Sequence, residues 1–466
     1  MTSTTETHPG ADPVLALRAV LDGALTLPGD DGWELAAQAW NLSVPQRPRA
    51  VVAVRSAPDV VETVRFARDH SLRISAQPSG HGATRALDDT ILIRTAALDD
   101  VWIDADARVA RVGSGVTWAK LQGELDGTGL TGLIGSSSDV TVVGSCLGGG
   151  LSWLSRPFGT SASALRAVEL VDASGRHRWV SDEKDPELMW ALRGGGGDLG
   201  IVTAVEIDLF PAARLTGGRL VFPGEQAGPV LRAFTAVTSV APDTLSLWAA
   251  VMHFPPLPFL PEEIRGRSFC FVDAVYVGGP DELATLLAPV RHAGTVLRET
   301  VRPLQPSEIG TVCEEPAEPS PGTHAAMGVR IVDDEVIDRI LRLAGPGTGT
   351  PLTRVQIRHL GAALRRPVAG AAGRIDAEYL VSALVMLPDP ALAGPVAAAM
   401  TQLREAMAPW DAGPTVLSML GPDEEAAAAF DEPTLARLRR VKATVDPSGV
   451  IRGNYPLAGN QVLSRT

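Results

Sequence analysis

The amino-acid sequence predicts an α+β protein made of two unlike parts. In the first part, short strand and helix patterns alternate and glycine is dense between them. Past residue 211 the strand and helix patterns become longer. We therefore expect a domain boundary near residue 211. No internal repeat is visible.

Composition bounds the function before any motif is considered. The chain has 466 residues, with 54 acidic and 41 basic side chains and a net charge of −13. Non-specific binding to nucleic acid needs clustered Lys and Arg, whereas the arginines here are scattered among acids. No apolar run reaches the roughly 18 residues that a membrane-spanning helix needs. We therefore expect neither a nucleic-acid partner nor a membrane partner.

The cysteines and the N-terminus indicate the compartment. Cys146, Cys270 and Cys313 are odd in number and widely separated, which predicts neither a disulfide framework nor a zinc site. Residues 1–13 are polar and acidic, without the basic and apolar regions of a signal peptide, and are predicted to be a disordered tail. A reducing compartment fits best, and we predict the cytoplasm.

The first part opens with a strand, helix and strand unit. Residues 48–54 are predicted as a strand, and Ser56 and Pro58 then mark the start of a helix. The second strand, residues 72–76, runs into a tight turn at residues 77–82. Further strands are expected at 90–94, 101–105, 108–112, 167–172, 178–181 and 201–209, and helices at 117–125 and 188–192.

The second part alternates longer strands with amphipathic helices. Residues 303–321 are rich in Pro and Glu and are predicted to form a surface loop or lid. A basic helix over residues 434–445 leads to the closing segment 452–456. Strands are predicted at 217–222, 245–253, 268–277, 354–360 and 377–387, and helices at 228–240, 281–293 and 392–407.

Three glycine-rich turns, at residues 79–82, 144–150 and 194–200, stand at strand or helix ends. Exposed backbone N–H groups in such turns bind anions, so three converging turns favour a diphosphate-bearing cofactor with a flat ring. Tight turns that pack small residues are the alternative. Gly195, Gly197 and Gly200 also satisfy G-x-G-x-x-G, but a helix precedes them and a strand follows, which disfavours a Rossmann site. No P-loop, G-x-S-x-G or H-E-x-x-H motif is present.

The chain resembles the FAD-linked oxidases of the berberine-bridge-enzyme-like group, in the vanillyl-alcohol-oxidase or p-cresol-methylhydroxylase flavoprotein superfamily. The likeness runs from about Leu27 to Leu457. The motifs that carry it occur in the family's order: Trp40-Asn41, Pro78-Ser79-Gly80-His81-Gly82, residues 147–156, Phe158-Gly159, residues 190–197, Gly200-Ile201-Val202-Thr203, Arg358-His359-Leu360-Gly361, Leu438 to Lys442, Asp446-Pro447 and Asn454.

The resemblance implies a division of the chain into domains. Residues 27–211 would form a p-cresol-methylhydroxylase-type (PCMH-type) FAD-binding domain of two subdomains. Residues 212–433 would form a substrate-binding domain with an antiparallel sheet covered by helices. Residues 434–466 would return to the FAD-binding domain, and residues 1–26 would hold the N-terminal tail and a first helix.

The resemblance also implies which residues hold FAD. His81 takes the place of the family's histidine that is bonded to the flavin, although a turn histidine that only hydrogen-bonds the backbone is the alternative. Ser137 stands where some relatives carry a second, cysteinyl link, so the link through His81 is expected to be the only one. Val140 falls where oxidases of the family carry valine beside the flavin. The residues predicted to bind the cofactor are Ser79, Gly80, His81, Gly82, Ser137, Val140, Gly144, Ser145, Gly148, Gly149, Gly200, Ile201, Val202, Asn454 and Tyr455.

Catalysis requires a group that accepts a proton, unless the substrate arrives deprotonated. Many relatives carry a Tyr-x-Asn segment for this purpose, whereas this chain has Val416-Leu417-Ser418-Met419 there. On the strand near residue 358, Gln356 and Arg358 share one face, and Arg358 could stabilise an enolate or phenolate. Plant relatives carry a carboxylate base near that position. The other candidates in the second part are Tyr276, Tyr379, His253 and His324.

The sequence therefore predicts a covalent FAD oxidase that takes two electrons from a small organic substrate and passes them to O2. The second part is poor in Tyr and rich in Ala, Leu, Val and Pro, which favours an apolar secondary metabolite over a sugar. Two alternatives remain open: a FAD-holding non-redox cyclase or rearrangement enzyme, and a silent flavin-fold binding protein. The oligomeric state is not predicted.

Overall fold

The computed structural model describes residues 13–258, 260–387 and 389–458. Most of the predicted N-terminal tail, residues 1–12, lies outside this part of the chain. The described chain folds into two larger sheets and a two-stranded ribbon in the first part and one large sheet in the second part. Among the described helices, none is both long and apolar enough to cross a lipid bilayer.

The first sheet is a small mixed sheet built on the predicted strand, helix and strand unit. Its strands have the order β1-β2-β4-β3, in which β4 is parallel to both β2 and β3. Helix α2 follows Ser56 and buries Val60, Val64 and Ala67 at helical spacing against this sheet. The elements are β1 (Ala24–Thr26), α1 (Trp33–Ala37), β2 (Ala50–Ala53), α2 (Ala57–Asp69), β3 (Arg73–Ala76) and β4 (Thr90–Arg94).

The second sheet is antiparallel and has the strand order β5-β6-β10-β8-β9. Short helices connect its strands, and β7 pairs with β11 as a separate ribbon. One of these helices, α4, was not expected, because its sequence is small and glycine-containing. The elements are β5 (Val101–Asp104), β6 (Val109–Gly113), α3 (Trp118–Leu125), β7 (Leu130–Thr131), α4 (Val142–Leu147), α5 (Ser155–Phe158), β8 (Leu165–Val171), β9 (His177–Ser181), α6 (Pro186–Leu192), β10 (Ile201–Asp208) and β11 (Phe210–Pro211).

The second part holds an eight-stranded antiparallel sheet with the order β15-β12-β14-β13-β18-β19-β17, where β16 also pairs with β12. Helices α7 to α10 bury their apolar sides against one face of it. The elements are β12 (Leu215–Pro223), α7 (Ala227–Thr238), β13 (Leu245–His253), β14 (Ser268–Val277), α8 (Pro280–His292), β15 (Arg298–Glu299), β16 (Arg302–Leu304), β17 (Gly322–Val329), α9 (Asp334–Ala344), β18 (Arg354–His359), β19 (Tyr379–Met386), α10 (Ala393–Met407) and α11 (Glu432–Val445). This arrangement confirms the predicted α+β class and the helix-covered antiparallel sheet.

Strand β17 and helix α9 were missing from the prediction. The sequence of β17 is Gly-Thr-His-Ala-Ala-Met-Gly-Val, which has little β-branched character, and the strand is held by pairing with β19 at the sheet edge. Tertiary pairing therefore decides this strand rather than its own propensity.

Arg156 joins the two parts of the molecule. It lies on α5 and is buried, and its guanidinium donates to the carbonyl oxygens of Leu245 and Leu360 in the second part. Its Nη1 also lies 2.9 Å from His359 Nε2. Beside it, the rings of Trp153 and Trp248 stack at 3.5 Å between centroids. The Arg156 guanidinium and the stacked pair of tryptophans thus hold the large sheet against the first part.

The segment after α11 runs back to the first part. Lys442 Nζ donates to the carbonyl oxygens of Asp198 and Ile451 and to the Asp446 carboxylate, at 2.6, 2.7 and 2.7 Å. The Asp198 carboxylate accepts from the N–H groups of Gly453 and Leu457. This buried network ties the end of the described chain to the glycine-rich turn at residues 194–200.

We expect Arg156→Ala to lower the free energy of unfolding by about 2–4 kcal/mol, because it leaves buried carbonyl oxygens without their donor. Denaturant titration measures the change. The control is Arg166→Ala, which removes an exposed ion pair to Asp208 and is expected to cost about 0.5 kcal/mol or less. Equal losses in the two variants would contradict the role of Arg156.

Candidate active site

A cavity of about 1770 Å³ lies between the glycine-rich turns and the large sheet. The turns of the first part form one end of the cavity. The other end is formed by the sheet face opposite the covering helices, with side chains from β12, β13, β14, β18 and β19. The cavity therefore spans both parts of the chain.

The turn at residues 79–82 lines the cavity. The carbonyl oxygens of Ser79 and Gly80 accept from the N–H groups of Trp40 and Asn41, which holds the turn in place. Gly80 has φ +97, and a Cβ there would lie 3.0 Å from Trp40 N, so glycine is required. Within the described chain, the N–H groups of residues 79–82 form no hydrogen bond.

Two further segments with free N–H groups line the same cavity, residues 135–137 and the turn at residues 194–200. The predicted turn at residues 144–150 is instead largely helix α4, and the N–H groups of Ser145, Gly148 and Gly149 donate to carbonyl oxygens of residues 141, 144 and 146. In the part of the chain that the structure covers, the N–H groups of residues 135–137 and of Gly197 and Gly200 have no acceptor. Successive free N–H groups form a concave site for anions. The free N–H groups of residues 79–82, of residues 135–137 and of the turn at residues 194–200 therefore fit the diphosphate of a dinucleotide such as FAD.

Three buried polar atoms at the cavity wall add to this fit. Thr95 Oγ1, Ser114 Oγ and Trp118 Nε1 have no hydrogen-bond partner among the described residues, and all three residues line the cavity. Buried polar atoms without partners are costly and indicate a polar ligand. No sequence motif marked these residues, because each is an ordinary strand-end or helix residue.

His81 lies on the first turn and lines the cavity. Its Nδ1 is hydrogen-bonded to Ser79 Oγ at 3.0 Å, and its Nε2 lies 3.2 Å from Asp139 Oδ2. Its ring stacks on Trp40 with 4.3 Å between centroids. Three neighbours therefore fix the orientation of the imidazole.

Asp139 is a site residue that the sequence analysis missed. Burial alone would raise the pKa of its carboxyl group, but the contacts with His81 and the Ser137 hydroxyl hold that pKa below its usual value. Asp139 is therefore ionised at neutral pH and faces the imidazole as an anion.

Most residues predicted to bind the cofactor line the cavity. Gly149 and Ile201 do not. The side chain of Ile201 is buried in the core of the first sheet, because alternate residues of β10 face opposite ways. Gly149 packs against Val416, whose Cβ would lie 2.7 Å from a Cβ at that position. Those that line the cavity are Ser79, Gly80, His81, Gly82, Ser137, Val140, Gly144, Ser145, Gly148, Gly200, Val202, Asn454 and Tyr455.

Asn454 and Tyr455 reach the cavity from the C-terminal segment. Asn454 Nδ2 donates to the carbonyl oxygen of Gly82 at 2.7 Å, which ties this segment to the His81 turn. The Tyr455 hydroxyl donates to the carbonyl oxygens of Leu420 and Gly421, and burial raises its pKa. Tyr455 is therefore a structural phenol rather than a base.

On the sheet side, Arg358 lines the cavity. Its Nε donates to Gln356 Oε1 at 2.7 Å, and its guanidinium lies 4.0 Å from the centre of the Trp248 ring. Gln356 lies on the same face of β18 but behind Arg358, outside the cavity lining. It is placed to orient Arg358.

The two predicted tyrosines do not contact the cavity, which corrects the expectation that they meet substrate. Tyr379 and Tyr276 project from the helix-covered face of the sheet, since strand residues alternate between faces. The hydroxyls of Tyr379 and Thr238 are hydrogen-bonded at 2.8 Å, and Tyr276 packs into the apolar cluster beneath the helices.

The two candidate histidines do line the cavity. Both ring nitrogens of His253 are engaged, one with the Ser268 hydroxyl and the other with the Ala344 carbonyl oxygen. Burial lowers the pKa of His324, which keeps its imidazole neutral at neutral pH. His324 is therefore not a cation facing the cavity at that pH.

The segment Val416-Leu417-Ser418-Met419 reaches the cavity between the two parts. Its residues 417–419 form a short 3-10 helix, and Ser418 N donates to the Gly148 carbonyl oxygen at 2.8 Å. Ser418 and Met419 line the cavity without an ionisable group. The place of the family's tyrosine therefore offers no base.

Glu315 and Arg354 form an ion pair on the cavity wall that the sequence analysis did not single out. Arg354 Nη1 donates to Glu315 Oε1 at 2.9 Å. Burial alone would raise the pKa of Glu315, but the positive charges of Arg354 and Arg358 hold it below its usual value. Around this pair the wall is largely apolar, with Ala250, Met252, Leu257, Leu260, Ile264, Phe269, Phe271 and Leu384.

We expect Gly197→Val to lower the FAD content of the purified protein, since a Cβ at Gly197 would meet no described protein atom within 4 Å and would project into the cavity. Visible absorbance per protein measures the content. The control is Gly123→Val on α3, where a Cβ also meets no described protein atom but residue 123 is exposed to solvent. Full FAD content in Gly197→Val would contradict the cofactor placement.

Comparison with known proteins supports FAD as the cofactor. An FAD binding domain model matches residues 48–181. An uncharacterized FAD-linked oxidoreductase of Bacillus subtilis is 26% identical over 450 residues, covering 93% of this chain and 97% of that protein. The (R)-6-hydroxynicotine oxidase of Paenarthrobacter nicotinovorans is 29% identical over 293 residues, which are 62% of each chain.

The fold is shared with the solved structure of BBE-like 1 from Physcomitrella patens. The TM-score is 0.83 at 18% identity, covering 96% of this chain and 99% of that one. This chain is therefore an FAD-linked oxidoreductase with the berberine-bridge-enzyme-like fold.

Proposed function

We propose that this oxidoreductase is an oxidase that takes two electrons from a small, largely apolar organic molecule and passes them to O2. We further propose that His81 carries FAD covalently. The observation that carries the proposal is the large cavity, which joins the segments with free N–H groups to an apolar wall of the large sheet. When bound, FAD supplies the acceptor for a hydride from the substrate.

The covalent role of His81 is supported by its surroundings. The imidazole is held between Ser79, Asp139 and the Trp40 ring, on a turn that lines the cavity. A histidine held in one orientation beside the cofactor is suited to a permanent link. No other histidine lies on the three turns. The expectation of a link through His81 alone thus remains our proposal.

The nature of the wall supports an apolar substrate. Met252, Phe269 and Phe271 line it, and a rim formed by Leu257, Leu260 and Ile264 covers it. Apolar walls exclude water and leave orientation to a few polar groups. Both predicted tyrosines lie beyond the wall, so the aromatic platforms typical of sugar grooves are not formed by them. We therefore propose a tailoring step on a secondary metabolite.

The roles of the polar residues follow from their placement. We propose that Arg358 contacts the polar group of the substrate and that Gln356 positions Arg358 through its amide oxygen. An arginine does not accept a proton at neutral pH, so Arg358 acts by orientation and charge. Val140 lines the cavity beside the glycine turns, and we propose that it borders the space for O2.

The compartment is part of the proposal. Cys146, Cys270 and Cys313 are free and buried, and burial raises the pKa of Cys146 to about 12, which keeps it as an inert thiol. Free buried thiols fit a reducing compartment. We propose the cytoplasm.

Acid denaturation tests the link to His81. We expect yellow colour to remain with the precipitated wild-type protein and to wash out of His81→Ala, because only a covalent flavin survives unfolding. The control is His292→Ala, which removes an exposed histidine on α8 and should keep its colour. Colour that washes out of the wild type would remove the covalent role while keeping FAD.

Anaerobic mixing tests the redox assignment. We expect at least one apolar alcohol, phenol or amine from a panel to bleach the flavin absorbance without oxygen, and air to restore it with release of hydrogen peroxide. Turnover without bleaching would contradict the oxidase and favour a non-redox reaction. Bleaching that air does not reverse would contradict O2 as the acceptor.

A further inference from the structure

The charges on the cavity wall are not balanced. Of the described residues that line the cavity, four are arginines. Three of them have a carboxylate partner: Arg219 pairs with Asp273, Arg298 with Glu314, and Arg354 with Glu315. Arg358 is the exception, because the described chain gives it no ion-pair partner.

Arg358 is also deeply placed. The residue is 7% exposed, and its guanidinium is stacked on the Trp248 ring. Only its Nε is hydrogen-bonded within the described protein, to a neutral amide oxygen of Gln356, so both terminal amino groups remain available. A buried charge without a counter-charge is costly, which indicates that an anion belongs beside it.

The neighbouring charges do not supply that anion. Among the carboxylates, Glu315 has the largest effect on the pKa of Arg358. However, Glu315 Oε1 already accepts a hydrogen bond from Arg354 at 2.9 Å. Two guanidinium groups therefore share one carboxylate. His324, which also faces this region, has a lowered pKa and carries no negative charge. One positive charge on the wall is left over.

We propose that Arg358 binds an oxyanion of the substrate, so that the substrate is an apolar molecule with one carboxylate or one ionised phenol or enol. The inference rests on the proposed function, because it specifies the substrate class of the same cavity. The terminal amino groups of Arg358 make charge-assisted hydrogen bonds to the oxyanion, and the Trp248 ring fixes the plane of the guanidinium. The apolar wall receives the rest of the molecule.

The proposal accounts for the missing base. A phenol or enol that binds as its anion has already lost its O–H proton, so no side chain is needed to remove it. The positive charge of Arg358 lowers the pKa of such a group by stabilising its ionised form. The segment at residues 416–419 can then do without the tyrosine found in relatives.

Calorimetric titration of the purified holoenzyme with 1-naphthoate and 1-naphthamide tests the site. The two ligands share one apolar body and differ in charge. We expect the wild type to bind the acid about tenfold or more tightly than the amide. In Arg358→Gln the preference should fall to about one, while the affinity for the amide changes little.

Two further variants separate this site from general charge effects. Arg298→Gln removes another arginine of the wall, one that is paired with Glu314, and should keep the preference for the acid. Glu315→Gln frees Arg354 from its carboxylate and should raise the affinity for 1-naphthoate severalfold. Because Arg298→Gln is expected to leave the preference unchanged and Glu315→Gln to strengthen acid binding, misfolding alone would not reproduce the pattern.

A third ligand distinguishes the two sources of the oxyanion. Tight binding of 2-naphthol that increases as its hydroxyl ionises would assign an ionised phenol, whereas preference for 1-naphthoate alone would assign a carboxylate. Equal binding of 1-naphthoate and 1-naphthamide by the wild type, binding of neither, or an unchanged preference in Arg358→Gln would overturn the proposal.

The two proposals fail in different ways. A yellow protein that binds acid and amide equally keeps the oxidase and loses the oxyanion site. A protein that prefers the acid but shows no bleaching with any substrate keeps the oxyanion site and loses the oxidase.

Discussion

The cavity depends on the contact that Arg156 makes across the two parts of the chain. The guanidinium donates to Leu245 and Leu360, which stand at the start of β13 and just beyond β18. These strands carry Arg358, which lines the wall, and the buried Trp248, on which the Arg358 guanidinium stacks. Since Arg156 follows directly on the glycine-rich segment, one buried side chain sets the distance between cofactor turns and substrate wall. A planar fork suits this task better than an ammonium, because several acceptors lie in different directions.

A second constraint keeps the turns open. Unpaired N–H groups are stable only if the rest of the turn is held by other bonds. In the His81 turn the carbonyl oxygens are bound by Trp40, Asn41 and the Asn454 amide. In the turn at residues 194–200, Lys442 and the C-terminal segment bind Asp198. The C-terminal segment therefore contributes to the site by fixing two turns at once, and it does so from the far end of the sequence.

The sequence located the turns at residues 79–82 and 194–200 and the alternation of elements, because glycine runs and helical spacing are local signals. It also predicted a turn at residues 144–150, where helix α4 forms. It did not locate β17, whose residues lack strand propensity and depend on pairing with β19. It also placed Tyr276 and Tyr379 among the candidates, since a strand pattern does not say which face meets the cavity. The contact of Asp139 with His81 and the Arg354–Glu315 ion pair join segments that are distant in the sequence, and no local pattern of residues predicts them. The predicted domain limits and residue roles stay predictions.

The charges on the cavity wall connect two differences between this chain and the family pattern, one at residues 416–419 and one at Arg358. Val416 to Met419 lacks the tyrosine of relatives, and Arg358 stands near the place of a carboxylate base in plant relatives. Taken separately, each change removes a proton acceptor. Taken together, the two changes replace groups that accept a proton from the substrate with a guanidinium that binds an anionic substrate. The substrate, rather than a side chain, then carries the negative charge. The low polarity around Trp248 strengthens the attraction between this charge and the Arg358 guanidinium, because few water molecules screen it.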